Sequence, residues 1–367
     1  MADLDHLNFC LALHRAVAGK GDSCFSPYSI ASALGLTSQA TRGAASDELV
    51  ALLAAGQSDI AKQAELLRAA ATLGESGRGE APVLEVANTL WTTEDLPLNQ
   101  DFLGQLGAWP GGGARNASFA TDPEAARRAI NADVAETTHD LIPELLHPGD
   151  VTTDTVASLV NALYLKVAWV HRFREERTED GDFHSPSGTR RVPMMRQDES
   201  FGYAARDGWQ VVDLPALGGV RASVLLPDGD LAKQEPELDA RRLASLLSAA
   251  KNRQVRLAMP KIKLELRAAL KPALAGLGVS AMFSARADFS PLTPDQRVYV
   301  DEVIHQAVLR LDEAGLEGAA ATAVVMRAVA MITPVDPVAV TVDRPFLLLV
   351  RHAETGVVYF FARVVEP

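Results

Sequence analysis

The stretch whose residue types and spacing carry the most specific chemistry is DEAGLEGAAATAVVMRAVAMITP, residues 312–334. It joins two strand-like segments, VYVDEVIHQAVLRL and VAVTVDRPFLLLV. A connection of this length in a compact domain is usually functional or disordered. Disordered linkers favour Pro, Ser, Gln and charge, whereas this stretch is small, apolar and almost uncharged. Its first proline after Glu313 is Pro334, so every preceding backbone N–H is available for a sheet ladder.

The same stretch alternates at the period of a β-strand. One parity carries Leu316, Gly318, Ala320, Thr322, Val324, Met326 and Ala328, and the other carries Glu317 and Arg327. One face is therefore suited to burial, and the pattern indicates a loop that can also become a strand. An Ala-rich surface helix is the alternative. Gly315 and Gly318 in its first turns and β-branched residues in its last turns disfavour that helix.

Motifs for catalysis and cofactor binding are absent from the sequence. There is no G-x-S-x-G, H-E-x-x-H or G-x-x-x-x-G-K-[ST] motif, and GESGRG lacks the spacing of a dinucleotide fingerprint. The 8 histidines are scattered, and Cys10 and Cys24 alone cannot form a thiolate zinc site. They are also too few for a disulfide scaffold, which favours free buried thiols. The sequence predicts a protein that is not an enzyme, with no cofactor and no metal site.

Composition limits the classes of partner. The formal net charge is −12, which argues against nucleic acid or an anionic membrane as the main partner. No apolar run reaches the ~18–20 residues of a membrane span. The N-terminal MADLDHLNFCLALHRAV has no basic n-region and no cleavage site, so no signal peptide is visible. We therefore favour a cytoplasmic location, with secretion as the alternative.

Two polar side chains fall inside apolar strands. Asn161 lies within TVASLVNALYLKVAWV, a run typical of a central strand that is buried on both faces. A buried amide costs about 1–3 kcal/mol unless it is paired, so Asn161 needs a partner. His305 shares an apolar face of VIHQAVLRL, where a lone histidine is usually a hydrogen-bonded core residue. His305 is therefore the candidate partner of Asn161.

Three motifs carry a resemblance to a known family. The segment DEAGLEGAAAT resembles the proximal hinge of the reactive-centre loop in serpins, FSPYSI resembles an internal block of that family, and VTVDRPFLLLV resembles its C-terminal signature. The resemblance covers essentially the whole chain and is to bacterial-type inhibitory serpins. It implies a mixed α+β fold with three β-sheets, about eight or nine helices and an exposed reactive-centre loop at about 313–337. Residues 1–367 are expected to form a single serpin domain.

The resemblance also implies roles for individual residues. The hinge comprises Glu313, Gly315, Leu316, Gly318, Ala319, Ala320, Ala321 and Thr322. The shutter, beneath the main sheet, comprises Ser26, Ser29, Asn161 and His305. The breach, where that sheet first opens, comprises Trp169, Lys261 and Glu313, with Lys261 paired to Glu313. The chain departs from the family with Leu316 where Thr or Ser is commoner, and with Val167, Asp140 and Ala362 where Gly is usual.

The implied function is suicide inhibition of serine proteases that are chymotrypsin-like or elastase-like. The protease cleaves the loop and forms an acyl-enzyme, and residues about 315–328 then insert as an extra strand in the main sheet. A non-inhibitory serpin with a binding or chaperone role and a cross-class inhibitor of cysteine proteases are the alternatives. Heparin activation is not expected, because the matching region offers only Arg68 and Arg78 near acidic residues. A monomer is expected, with loop-sheet polymers possible on destabilisation.

The position of the scissile bond follows from two counts that disagree. Sixteen residues on from Glu313, the usual family distance, places the bond at Val329–Ala330. Counting back from the Arg344-Pro345-Phe346 block leads to a position near Pro334. We prefer the hinge count, because the length of the inserting strand is the mechanical constraint. Val329 suits an elastase-like pocket, and a shift of two residues to Met331–Ile332 suits a chymotrypsin-like one.

The remaining pattern predicts the elements around these sites. Helices are expected at residues 3–18, from Pro27, at about 64–73, from Pro123 through about 146, at about 239–250 and within 270–283. A loop is expected at 107–116, and a hairpin is expected to end the chain.

Overall fold

The computed structural model describes residues 3–54, 60–74, 81–294, 298–316 and 336–367. In these ranges the helices are α1 (Leu4–Val17), α2 (Pro27–Gln39), α3 (Ala44–Leu53), α4 (Ala61–Ala69), α5 (Gln100–Gln105), α6 (Pro123–Thr137), α7 (Leu231–Gln234), α8 (Ala240–Ala249) and α9 (Lys271–Gly276).

The first eight strands in the same ranges are β1 (Ser23–Phe25), β2 (Val83–Thr93), β3 (Gly112–Ala117), β4 (Ala157–Ala168), β5 (Glu179–Ser185), β6 (Gly188–Arg206), β7 (Trp209–Ala216) and β8 (Val220–Pro227). The other seven are β9 (Lys251–Pro260), β10 (Ile262–Ala269), β11 (Ile304–Leu311), β12 (Gly315–Leu316), β13 (Val338–Thr341), β14 (Phe346–His352) and β15 (Val358–Val364).

The strands form a six-stranded and a nine-stranded sheet. The six-stranded sheet has the order β10-β11-β12-β4-β2-β3, and β11 also pairs directly with β4. The nine-stranded sheet follows β1-β15-β14-β8-β7-β6-β9-β13, with β5 on β6. Where the sequence resemblance implied three sheets, the hydrogen-bonded ladder joins the described strands into two. The reason is β6, whose 19 residues pair in turn with β5, β9 and β7.

Two apolar cores lie on opposite faces of the six-stranded sheet. The principal core contains α1, α2 and residues of the nine-stranded sheet together with Leu163, Leu165 and Val167 of β4. The second core contains Val160 and Ala162 of the same strand and the inner face of α6. Successive residues of β4 therefore face different cores, which explains why its sequence is almost continuously apolar.

Six of the described helices begin where the sequence offers a capping side chain, and α1, α2, α6 and α8 are the longest of them. Asp3, Ser26, Asp122 and Asp239 accept hydrogen bonds from the first-turn N–H groups of α1, α2, α6 and α8. In α2 and α6 the cap is followed by proline at the first helical position, where its missing N–H costs nothing.

Two predicted elements differ from the structure. Helix α6 ends at Thr137 instead of continuing to about residue 146, because His139 and Asp140 have φ of 49° and 60°. The segment predicted as a loop at 107–116 instead contains most of β3, which pairs in parallel with β2. Across the described ranges, no helix has both the length and the apolar character needed to cross a membrane.

Candidate functional site

Gly315 and Leu316 of the hinge already lie between the parallel strands β11 and β4. In β12, Leu316 is opposite Leu311 of β11 on one side and Val167 of β4 on the other. At the far end of the same strand pair, Ile304 and His305 of β11 pair directly with Val160 and Asn161. The hinge therefore begins as a short antiparallel strand at one end of the β11–β4 pair.

Gly315 is required by this close approach. A Cβ atom placed on Gly315 would lie 2.2 Å from the backbone oxygen of Val167, well inside van der Waals contact. Any larger residue would force β12 away from β4. Leu316, the next residue, is 1% exposed and packs in the principal core, so its apolar side chain suits the site where the family commonly has Thr or Ser.

Glu313 is held by two side chains and one backbone N–H. Its Oε2 lies 2.8 Å from Lys261 Nζ, and Thr178 Oγ1 donates to its Oε1 at 2.6 Å. The Phe173 N–H donates to the Glu313 carbonyl oxygen at 3.1 Å. The Glu313 side chain is 8% exposed, whereas that of Lys261 is 43% exposed, so water reaches the cation more readily than the carboxylate.

The electrostatics of Glu313 follow from these contacts. Burial alone would raise the pKa of its carboxyl, but the hydrogen bonds from Lys261 and Thr178 outweigh burial and hold that pKa below the ordinary value. The carboxylate is therefore ionised near neutral pH and depends on Lys261 for compensation.

The turn that enters β12 is closed by Asp312 and Trp169. The Asp312 carboxylate accepts hydrogen bonds from the N–H groups of Ala314 and Gly315 at 2.8 and 3.2 Å. Trp169 Nε1 donates to the Asp312 carbonyl at 2.8 Å, and its backbone N–H donates to Ala314 at 3.1 Å. The structure thus brings the three predicted breach residues, Trp169, Lys261 and Glu313, to one end of β4.

The four predicted shutter residues are joined by hydrogen bonds at the other end of the strand pair. Ser29 Oγ donates to Asn161 Oδ1 at 2.6 Å, and His305 Nδ1 lies 3.1 Å from the same oxygen. The Ser26 N–H donates to His305 Nε2 at 3.1 Å, and Ser26 Oγ accepts from the Ser29 N–H at 3.1 Å. All four residues are buried.

The protonation state of His305 can be assigned from these contacts. Because Nε2 accepts a hydrogen bond from the Ser26 N–H, the ring proton must be on Nδ1, where it points to Asn161 Oδ1. Burial lowers the pKa of His305 to about 4, so the imidazole is neutral at physiological pH. The network is therefore uncharged as well as buried.

The amide of Asn161 uses all of its hydrogen-bonding capacity. Its Nδ2 donates to the carbonyl oxygen of Ser29 at 2.9 Å and to Oδ1 of Asn88 in β2, while Oδ1 accepts from Ser29 and His305. Asn88 Nδ2 in turn donates to the Pro110 carbonyl at 2.6 Å. The network thus spans α2 and the strands β2, β4 and β11.

Sequence reasoning missed Asn88, Thr178 and Asp312. Asn88 lies inside the apolar run VLEVANTLW, so the signal that identified Asn161, an amide within a buried strand, applied equally to it. Thr178 had no such signal, because it lies 135 residues from Glu313 in the chain.

Several predicted residues lie outside the described ranges. These are Val329, Ala330, Met331 and Ile332 of the reactive bond and Gly318, Ala319, Ala320, Ala321 and Thr322 of the hinge. Within the described ranges, no group of three or more His, Cys, Asp or Glu side chains is arranged to hold a metal ion.

Comparison with known proteins identifies the family. A family model described as Serpin (serine protease inhibitor) matches residues 5–367. The chain belongs to the serpin family. A serpin-like protein of Thermococcus kodakarensis, described as uncharacterized, is 30% identical over 98% of this chain and 84% of its own length. The leukocyte elastase inhibitor of Bos taurus is 30% identical over 95% of this chain and 93% of its own length.

Solved structures confirm the predicted mixed α/β serpin fold. Uncleaved ovalbumin superposes with a TM-score of 0.86 at 22% identity and covers 99% of both chains. The description of the family model is that of serine protease inhibitors.

Proposed function

We propose that this serpin is a suicide inhibitor of chymotrypsin-like or elastase-like serine proteases and is not itself a catalyst. Cleavage of the reactive-centre loop would trap the protease as an acyl-enzyme, and the freed hinge would continue β12 as a full strand between β11 and β4. The observation that carries the proposal is the register of these strands. The named inhibitor of leukocyte elastase among the relatives is consistent with the elastase-like class.

The register at the two ends of the strand pair agrees. Leu311 and Val167, which flank Leu316, are 144 positions apart in the chain. Ile304 and Val160, which pair directly at the far end, have the same separation. A strand that continues from Leu316 antiparallel to both neighbours can therefore extend to the shutter without a bulge or a slip.

Continuing this register gives each loop residue a pair of neighbours. Six residues beyond Leu316, Thr322 would lie opposite Asn161 and His305, where its hydroxyl can join the shutter network. One residue beyond Leu316, Glu317 would lie between Lys166 and Arg310 on the opposite face. The apolar parity thus faces the principal core, and the acid falls between two bases.

The length of β4 supports the hinge count for the scissile bond. In the same register Met326 would lie opposite Ala157, the first residue of β4. Val329 would then lie three residues past the end of that strand. A protease attached to Val329 would clear the sheet, which is why we retain Val329–Ala330 as the reactive bond and Met331–Ile332 as the alternative.

The free energy available for this insertion is large. If about ten residues each gain ~0.5–1.5 kcal/mol from ladder hydrogen bonds, insertion yields on the order of 5–15 kcal/mol. That is comparable to the whole stability of a typical domain, so the native form is expected to be metastable.

Incubation with active proteases tests the proposal. Chymotrypsin or pancreatic elastase should give a complex that survives a denaturing gel, and the same protease with its catalytic serine replaced by alanine should give none. Cleavage of the loop without a complex would contradict inhibition and favour a non-inhibitory serpin. A stable complex with papain alone would move the target class to cysteine proteases.

Mass spectrometry of the C-terminal peptide released with the complex tests the bond. A peptide that begins at Ala330 supports the hinge count, and one that begins at Ile332 selects the alternative bond. A peptide that begins at Ala328 would contradict both assignments.

A further inference from the structure

A polar cavity of about 610 Å³ lies between the segment that follows Trp169 and the strand β6. Its charged lining consists of Arg172, Arg174, Arg177, Arg196, Asp198 and Glu199. Four guanidinium groups against two carboxylates make this cavity cationic in a chain whose net charge is −12. We propose that it binds a phosphate group, either as the free ion or on a small organic ester.

Two of the arginines are available for a ligand. Among the described residues, the side chains of Arg174 and Arg177 form no hydrogen bond or ion pair, and both are exposed. Arg196 Nε lies 3.7 Å from Glu179 Oε2, and both side chains are largely exposed, so this pair contributes little. Guanidinium groups bind phosphate oxygens through paired N–H donors, which makes arginine the preferred residue for such a site.

The carboxylates of the lining do not cancel this charge. Asp198 Oδ1 already accepts from Arg256 Nε at 3.2 Å, so a further cation at the edge of the cavity compensates it. With Asp198 beside Arg256 and Arg196 beside Glu179, the positive charge offered to a ligand comes chiefly from Arg174 and Arg177.

A buried glutamine ties the cavity wall to strand β6. Gln197 is 8% exposed; its Nε2 donates to the Arg172 carbonyl at 3.0 Å, and its Oε1 has no partner among the described residues. A buried acceptor without a donor costs free energy. The Gln197 amide therefore fixes the backbone of Arg172 at the cavity wall and leaves ligand binding to the guanidinium groups.

The position of the cavity ties it to the hinge. The Phe173 N–H, in its wall, donates to the Glu313 carbonyl, and the Val170 N–H, in the same wall, donates to Pro215 at 3.0 Å. A ligand that bridges this segment to Arg196 of β6 should therefore stabilise the native form. Ligand in large excess over Kd is expected to raise the unfolding midpoint by about 2–4 °C.

Isothermal titration calorimetry with inorganic phosphate tests the site, at constant ionic strength because screening weakens charged contacts. The test variant is Arg174→Ser with Arg177→Ser. The matched control is Arg241→Ser with Arg286→Ser, which removes the same charge from two exposed arginines outside the cavity. We expect saturable binding by wild type and control, and a Kd at least tenfold weaker in the test variant.

Titrations with further ligands identify what the site accepts. Glycerol 3-phosphate should bind if the site accepts an ester, and inorganic phosphate alone should bind if it accepts only the free ion. Equal phosphate affinity in wild type, test and control variants, or no saturable phosphate binding by wild type, would overturn the proposal. Calorimetric binding of phosphate does not depend on protease inhibition, so this experiment tests the site independently of the proposed function.

Discussion

The two ends of the β11–β4 pair are held by different chemistry. At the breach, Glu313 is compensated by Lys261, whose side chain is 43% exposed, so the contact is electrostatic and open to solvent. At the shutter, Asn161 and His305 are 2% and 1% exposed and are joined by uncharged hydrogen bonds. Exposed ion pairs contribute little and weaken with salt, whereas unpaired buried polar groups are costly.

This difference predicts that the breach and the shutter have different roles in opening the sheet. The breach should release the hinge at low cost, and the shutter should set the resistance to full opening of the sheet. Substitutions at the two ends should therefore differ in size and in salt dependence. The predictions below run from the largest expected effect to the smallest.

Ala320→Arg should have the largest effect, because position 320 lies in the segment that is proposed to insert between β11 and β4. In the proposed register the side chain at position 320 faces the principal core, where an unpaired charge costs several kcal/mol. The variant should become a substrate, cleaved without a stable complex, and its stoichiometry of inhibition should rise at least tenfold. Ala320→Ser, small and uncharged, is the control and should still inhibit. Unchanged inhibition by Ala320→Arg would show that the parity is wrong.

Asn161→Ala should break the shutter. It removes the partner of His305 Nδ1, Ser29 Oγ and Asn88 Oδ1 at once, a loss on the order of 3 kcal/mol. Native electrophoresis after mild heating should show latent or polymeric forms well before wild type does. The control is Ser32→Ala, which removes a buried hydroxyl of α2 that donates to the Tyr28 carbonyl and lies outside the shutter network. If both variants stayed monomeric as long as wild type, the network would not restrain the sheet.

Acidification should have the third largest effect, because it weakens the shutter. The pKa of His305 falls from 6.5 to about 4 on folding, so between these values the unfolded chain binds a proton that the folded chain does not. The neutral His305 therefore makes its full contribution to the free energy of unfolding above pH 6.5. Below that pH the free energy of unfolding falls by ~1.4 kcal/mol per pH unit.

Denaturant titration from pH 7 to 4.5 measures this slope. His305→Gln should reduce the slope of the free energy of unfolding against pH by the amount that corresponds to one proton. His6, also buried and with its pKa lowered to about 4, provides the comparison, since His6→Gln should remove a second proton independently. An unaltered slope in His305→Gln would contradict the assignment of a neutral buried imidazole.

Lys261→Met should have the smallest effect, because the cation that it removes is 43% exposed and already shared with solvent. Of the two side chains that hold the Glu313 carboxylate in the described ranges, Thr178 then remains, so loop release should become modestly faster. The difference between wild type and variant should shrink as salt is raised, unlike that of Asn161→Ala. Arg256→Met, which breaks an exposed pair with Asp198, is the control. A loss as large as that of Asn161→Ala would erase the contrast between the two ends.

Much of the local structure could be predicted from the sequence. The predicted starts at residue 3, Pro27, Pro123 and about residue 239 agree with α1, α2, α6 and α8 within a residue or two, because helix starts are set by near neighbours in the chain. The predicted end of α6 was wrong. Asp140 has a φ of 60°, a conformation that glycine signals in a sequence and aspartate does not.

The candidate site divides in the same way. The alternating parity of residues 316–328, the need of Asn161 for a partner and the absence of catalytic motifs follow from the sequence itself, because period and composition are local properties. The equal offset of the two ends of β11 and β4, the place of Asn88, the contact of Thr178 with Glu313 and the arginine-lined cavity were decided only by the tertiary structure. Each depends on residues from strands far apart in the chain, whose pairing is fixed by burial of whole sheet faces rather than by neighbouring residues.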